Sequence, residues 1–243
     1  MKNTERFTGK ADAYEQSRPD YPAEALACIA RECNLAPGAT VADIGAGTGK
    51  LTRALLAEGY NVVAVEPNPD MLATLRANFP GLRVIAAPAE TTTLPDHSVD
   101  AITVAQAFHW FDHAACKIEF ARVLKPGGRI ALLWNHRDQT KPLTREHGAL
   151  MLRHKVKNAV FLEHEHDVYA QFFSRYETFG FPHMQLLDEA ALLSLTFSRS
   201  YSPKPGDSSY AALAQAVKAL FAKHKQNGLV QYCYQTNIVI GDL

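Results

Sequence analysis

Val41-Ala42-Asp43-Ile44-Gly45-Ala46-Gly47-Thr48-Gly49-Lys50 is an apolar strand that runs into an acidic residue and then into three glycines at alternating positions. Glycine lets a chain turn sharply after a strand and lets backbone N–H groups approach a ligand with no Cβ in the way. The run that follows, Lys50 to Glu58, has helical composition and stops at Gly59, so the loop opens a helix whose N-terminus faces whatever the loop holds. The stretch has the chemistry of a nucleotide-cofactor loop. The next apolar run, Asn61 to Val65, ends in Glu66. That is about twenty residues past the loop, where a strand-end carboxylate can accept two ribose hydroxyls.

Two cofactor classes share this architecture. Dinucleotide folds favour Gly-x-Gly-x-x-Gly, with the third glycine inside the helix and a pyrophosphate on the first turn. Here the spacing is Gly45-x-Gly47-x-Gly49, and Asp43 precedes the first glycine, where a carboxylate suits an amino group better than a pyrophosphate. With these residues the chain resembles the class I S-adenosylmethionine-dependent methyltransferases. The resemblance continues through Val65-Glu66-Pro67-Asn68-Pro69-Asp70-Met71-Leu72, through Ala89-Glu90 followed by Leu94-Pro95-Asp96-His97-Ser98-Val99-Asp100, and through Leu124-Lys125-Pro126-Gly127-Gly128. It implies a Rossmann-like, doubly wound α/β fold: a mostly parallel seven-stranded sheet with an antiparallel edge strand and helices on both faces.

Composition agrees with one substantial domain. The chain has 243 residues with 47% hydrophobic content, enough for a single α/β core. Acidic and basic residues are equal in number at 25 each, which leaves no net field to gather nucleic acid or anionic membrane. The first residues, Met1 to Arg6, lack the apolar run of a signal peptide, and no stretch approaches a membrane span, so a cytoplasmic protein is expected. Cys28, Cys33, Cys116 and Cys233 form no Cys-x-x-Cys pair and suit reduced structural thiols.

Extended apolar runs alternate with helical ones. The pattern predicts strands at 40–44, 61–66, 82–86, 99–105 and 129–135, with helices near 22–33, 50–58, 69–78 and 113–124, hence a parallel sheet covered on both faces. After Trp134 come helical stretches at 141–159 and 166–174, a strand near 176–186, helices around 188–198 and 207–226, and a final strand at 229–240. The organisation expected is a single domain: a lid segment 1–22, a cofactor-binding core 23–135, a substrate-region insertion 136–175, and C-terminal strands and helices 176–243.

The lid expectation comes from Phe7 to Pro22, which mixes aromatics, charges and prolines and makes a poor isolated helix. It is similar to the Tyr-x-x-x-Arg-Pro-x-Tyr-Pro segment of the type 11 methyltransferases related to trans-aconitate methyltransferase. The resemblance implies a segment folded over the cofactor, with Tyr14 and Arg18 near its methionine end and Arg18 pairing with the carboxylate. The alternative is an arm that merely packs on the domain.

The resemblance further implies that Gly45, Ala46, Gly47 and Gly49 form the cofactor loop, that Glu66 and Pro67 sit at the ribose, and that Asp43 lies near the methionine amine or orders the loop. Ala89 and Glu90 fall at the adenine. There the chain departs from the common pattern, because Pro88 stands where many relatives carry Asp, and proline offers neither a side-chain acceptor nor an N–H. Met71 caps the adenine or belongs to the core. The stretch Ala105-Gln106-Ala107-Phe108-His109-Trp110-Phe111-Asp112 resembles the Gln-Ala-x-His-Trp-Phe signature of the same group. It implies Gln106 beside the cofactor, and His109 and Trp110 at the acceptor, with His109 as general base, substrate donor or structural histidine.

No metal is expected. His109 and His113, and Glu163-His164-Glu165-His166, lack the further ligands that zinc requires, and no nucleophilic triad is specified. The function these residues predict is methyl transfer from S-adenosylmethionine to a small-molecule acceptor, which an ionised carboxylate can serve without a base. Two alternatives stand beside it: a cofactor-binding protein without catalysis, and a nicotinamide-dependent oxidoreductase.

Overall fold

The computed structural model describes residues 18–154, 165–199 and 201–243, so Tyr14 and most of the expected lid lie outside the described residues. Five parallel strands carry the first half of the chain: β1 (Thr40–Ile44), β2 (Asn61–Val65), β3 (Arg83–Ile85), β4 (Val99–Ala105) and β5 (Leu124–Arg137). β6 (Arg175–Leu187) and β7 (Val230–Asp242) complete a seven-stranded sheet of order β3-β2-β1-β4-β5-β7-β6. β7 runs antiparallel to both its neighbours and β6 forms the edge. The order reverses between β1 and β4, and at such a switch point the crossovers diverge and leave a crevice beyond the strand ends.

Alternation of side chains across the pleat builds two cores from the same strands. Ala42, Ile44, Val63, Val65, Ile102, Val104 and Leu132 face one side, where Cys116, Phe120 and Val123 of α4 (His113–Val123) cover them. Val41, Val62, Ala101, Ala131 and Leu133 face the other, under α1 (Ala23–Glu32) and α2 (Lys50–Ala57). β1 is buried on both faces from Val41 to Ile44, which explains why its side chains do not alternate between apolar and exposed polar ones, and Asp43 is the one acid sealed within it.

α3 (Pro69–Asn78) starts cleanly. Asn68 Oδ1 accepts the Asp70 and Met71 N–H groups at 3.0 Å, and Pro69 occupies a position that needs no donor. Entry to β5 is irregular: Val99 pairs Leu124 and Ala101 pairs Arg129, so the register shifts around Lys125 to Gly128. Lys125 Nζ reaches the Asp100 carboxylate at 2.8 and 2.9 Å across that shift.

The C-terminal part builds a third core. β5 pairs with β7 only as far as Arg137 and Tyr234, whereas β6 and β7 continue together to Leu187 and Val230. This ribbon therefore projects past the C-terminal ends of the parallel strands. Leu143 and Met151 of α5 (Pro142–Arg153), Leu192 and Leu195 of α7 (Glu189–Phe197), and Leu213, Val217, Leu220 and Phe221 of α8 (Tyr210–His224) pack with the projecting Leu187, Val230, Tyr232 and Tyr234. His147 is completely buried among them, with its Nδ1 2.7 Å from the Tyr232 hydroxyl and its Nε2 2.9 Å from Thr196 Oγ1, so one ring ties α5, β7 and α7. α6 (Glu165–Phe172) goes elsewhere. Its Tyr169 and Phe172 join the core under α4, so the two helices of segment 136–175 serve different layers.

Gly49 caps α2 in the left-handed conformation, φ +94°, and a Cβ there would lie 2.7 Å from Leu75 Cδ1 and would overlap the Phe79 ring. Gly49→Ala is expected to lower stability by about 2 kcal/mol or more, from left-handed strain plus displaced core side chains. Urea unfolding that shows a change under about 0.5 kcal/mol would remove the constraint assigned to this position.

Candidate functional site

The site begins where β1 ends. Gly45 and Ala46 donate their N–H groups to the Val65 carbonyl at 2.8 and 3.1 Å, which bends the chain across the end of β2. Gly45 has φ +69°, and a Cβ on it would sit 2.7 Å from Ala107 Cβ and 3.2 Å from the Phe111 ring, so β1 and the segment after β4 close to this distance only over glycine. Two N–H groups then converge on one carboxylate. Gly47 donates to Glu66 Oε2 and Asn68 donates to Glu66 Oε1, each at 2.8 Å.

Above this clamp opens a cleft at the C-terminal ends of the parallel strands, where ligand sites of open α/β sheets lie. Gly45 and Gly47 meet Glu66, Pro67, Asn68 and Met71 from β2 and the start of α3. Pro88, Ala89 and Glu90 enter from the turn after β3, and Ala105, Gln106, Ala107, Trp110 and Phe111 from the segment after β4. Apolar and aromatic groups dominate the walls.

The structure thus brings together Gly45, Gly47, Glu66, Pro67, Met71, Ala89, Glu90, Gln106 and Trp110 of the predicted residues. It adds Asn68, whose signal in the sequence was its place as a helix cap two residues past Glu66. Ala46 and Gly49 shape the loop without lining the cleft. Arg18 lines a small neighbouring pocket with Lys50 and Gln106.

Asp43 and His109 do not line the cleft among the described residues. Asp43 is completely buried, with Thr52 donating its hydroxyl to Oδ2 at 2.6 Å and Thr103 donating to Oδ1 at 3.3 Å. It ties β1, β4 and α2 together directly beneath the loop. Burial pushes its carboxyl up to about 6 against those hydrogen bonds. Burial likewise raises the Glu66 carboxyl, which the Asn68 and Gly47 N–H groups oppose and the Asp43 charge reinforces.

His109 lies in a short 3-10 turn, Phe108–Trp110, and its ring sits 4.4 Å from that of Trp110. Burial, helped by nearby His113, holds its imidazole down at about 4, so it is neutral at pH 7. His113 is within 3.1 Å of the Phe108 carbonyl and stacks on the Phe108 ring, which is structural use of that imidazole. Gln106 is held in the left-handed region, φ +58°, with its N–H bonded to the Leu133 carbonyl at 2.9 Å. Such a conformation in a residue with a Cβ is strain of the kind found at functional sites. Glu90 Oε1 accepts the Asp112 N–H at 2.8 Å, which fixes the turn after β3 against α4.

Comparison with known proteins agrees with this geometry. A family model described as a methyltransferase domain matches residues 42–132. The chain is 38% identical over 229 residues to an uncharacterized methyltransferase of Mycobacterium tuberculosis, across 92% of this chain and 90% of that one. It is 31% identical over 232 residues to a methyltransferase-like protein of Schizosaccharomyces pombe, with the same shares of each chain, 92% and 90%. A solved structure from Anaeromyxobacter dehalogenans, described as a type II methyltransferase, aligns with a TM-score of 0.68 at 25% identity, over 93% of this chain and 97% of that one.

The buried Asp43 gives a pH signature. A carboxyl whose folded pKa is raised favours the fold below its unfolded value, near 3.8, and loses that contribution as pH rises through about 6. Between pH 4 and pH 7, wild type should lose about 1–3 kcal/mol relative to Asp43→Asn, by urea unfolding of both at each pH. Parallel pH profiles for the two proteins would refute the assignment.

Proposed function

The chain belongs to the methyltransferase family, and we propose that it transfers the methyl group of S-adenosylmethionine to a small-molecule acceptor whose reacting oxygen is already anionic, a carboxylate. The observation that carries the cofactor reading is the clamp of Gly47 and Asn68 on Glu66 at the floor of an apolar cleft. Each Glu66 oxygen keeps a second lone pair, so the carboxylate can accept ribose hydroxyls while it still holds the loop. Met71, Ala89 and Phe111 offer flat apolar walls suited to an adenine, and Glu90 with the Ala89 N–H supplies polar contacts where Pro88 supplies none. Tyr14 and Arg18 serve the methionine end, with Arg18 directed to its carboxylate.

When bound, S-adenosylmethionine supplies a methyl group already activated on a sulfonium sulfur. The protein's part is then orientation and exclusion of water, by Gln106 at the cleft border and by Trp110 and Phe111 on its wall. Glu66 and Glu90 are the only titratable side chains lining the cleft among the described residues, and neither is needed as a base if the acceptor oxygen is ionised. His109, neutral at pH 7, backs Trp110. The resemblance to the trans-aconitate methyltransferase group is carried largely by cofactor machinery and says little about the acceptor. A dinucleotide reading fits less well, because the third glycine lies at the helix cap and not within α2.

Glu66→Gln places an amide donor against the Gly47 or Asn68 N–H. Affinity for S-adenosylhomocysteine should fall by about ten- to a hundredfold, or roughly 1.5–3 kcal/mol, by isothermal titration. Heat from NAD in place of S-adenosylhomocysteine would overturn the cofactor assignment. His109→Ala should leave that affinity within about threefold and the pH profile of turnover unchanged between pH 5.5 and 8, since the imidazole does not ionise there. Loss of an ionisation in that window would make His109 the base.

A further inference from the structure

We propose that Glu90 reads the amino group of the cofactor's adenine, in place of the side-chain acceptor that Pro88 cannot supply, and so restricts the cleft to 6-aminopurine nucleosides. This rests on the methyltransferase reading above. Pro88, Ala89 and Glu90 enter the cleft together from the turn after β3. Proline has neither a side-chain acceptor nor an N–H, and the Pro88 carbonyl already accepts the Thr91 N–H at 3.2 Å.

Four side chains that line the cleft among the described residues carry an oxygen acceptor: Glu66, Asn68, Glu90 and Gln106. Three are committed elsewhere. Glu66 holds the Gly47 and Asn68 N–H groups and keeps its remaining lone pairs for the ribose. Asn68 Oδ1 accepts the Asp70 and Met71 N–H groups at 3.0 Å each, which occupies both of its lone pairs. Gln106 stands at the border with the pocket of Arg18 and Lys50, where the reading above puts the methionine end. Glu90 remains. Its Oε1 accepts the Asp112 N–H at 2.8 Å, and its Oε2 takes no hydrogen bond among the described residues.

The carboxylate is held from behind. Asp112 caps α4: its side chain accepts the Ala115 N–H at 3.1 Å, its carbonyl accepts the Cys116 N–H at 2.9 Å, and Cys116 is completely buried. The donor that fixes Oε1 is thus anchored to a helix of the core, which leaves Oε2 for a ligand in a preorganised group. Beside it, Ala89 is the first residue of a 3-10 turn, so its N–H has no acceptor within that turn.

An N–H donor and a carboxylate acceptor on adjacent residues match one edge of adenine, whose N1 accepts and whose N6 donates. Hypoxanthine reverses both groups. Its N1 carries a hydrogen and its C6 an oxygen, so donor would face donor and oxygen would face carboxylate. A site whose polar groups are left unpaired in this way rejects a ligand of equal size.

Titration calorimetry of wild type, Glu90→Gln and Glu90→Ala with S-adenosylhomocysteine and S-inosylhomocysteine, which differ only at these two positions of the base, tests the assignment. Wild type should bind the adenosyl ligand about ten- to a hundredfold more tightly, the range of a charge-assisted hydrogen bond. In Glu90→Gln the Asp112 N–H still requires the amide oxygen, so the amide NH2 faces the base and suits the 6-oxo group. The preference should vanish or reverse there, and it should fall at least fivefold in Glu90→Ala. If Glu90→Gln does not fold, the wild-type ratio and Glu90→Ala decide. A wild-type preference under about threefold would overturn the proposal. So would variants that lose both ligands equally and keep the wild-type ratio, since Glu90 would then serve the turn and not the base. Failure of wild type to bind either ligand would instead strike the methyltransferase reading itself.

Discussion

Two N–H bonds to Glu66, from Gly47 and Asn68 at 2.8 Å each, hold the whole site in place. A carboxylate at 6% exposure is costly to bury, as its raised pKa records, and it is tolerable because two backbone donors point at it. Those donors come from opposite sides. One belongs to the loop after β1 and the other to the cap of α3 after β2, so the carboxylate joins two parallel strands at their C-terminal ends. Removing that group would release both segments and leave the cleft without a floor.

Beneath it, Asp43 does a related task with no contact to the cleft. Thr52 and Thr103 bring α2 and β4 to its two oxygens, so a buried acid links the three elements that meet at the switch point. The Asp43 charge adds to the cost of burying Glu66, and the fold accepts this in return for a loop fixed in one geometry. Gly45 completes the arrangement, since its missing Cβ lets Ala107 approach and sets the width of the cleft.

The C-terminal ribbon adds a layer that the parallel sheet lacks. Because β6 and β7 continue after β5 has ended, their tips need an apolar cover, and α5, α7 and α8 supply it. This third core stands beyond the strand ends, on the side where the loops gather. It carries Arg199 toward Gln106, so the element that buries the ribbon also delivers charge to the edge of the cleft. In α/β folds substrate choice resides in such additions, while the sheet and its loops serve the cofactor.

Much of this was legible in order along the chain. The β1 run, the glycine loop, Glu66 at the end of β2 and the helical periods each rest on near neighbours, and local chemistry fixes them: glycine for positive φ, an apolar run for a strand buried on both faces, Asn68-Pro69 for a helix start. The sequence by itself determined the fold class and the loop, and its resemblance to the methyltransferases pointed to most of the cleft's lining. Tertiary packing decided the rest. Asp43 reads like a loop acid and is instead sealed between two threonines that lie 9 and 60 residues away. His109 reads like a rim residue but is neutral, because burial strips the charge that solvent would support. α5 and α6 read alike, yet one joins the third core and the other the sheet. The meeting of Arg18, Lys50, Gln106 and Arg199 around one pocket belongs to no local pattern, since no spacing in the chain encodes a distance between elements that only their packing brings together.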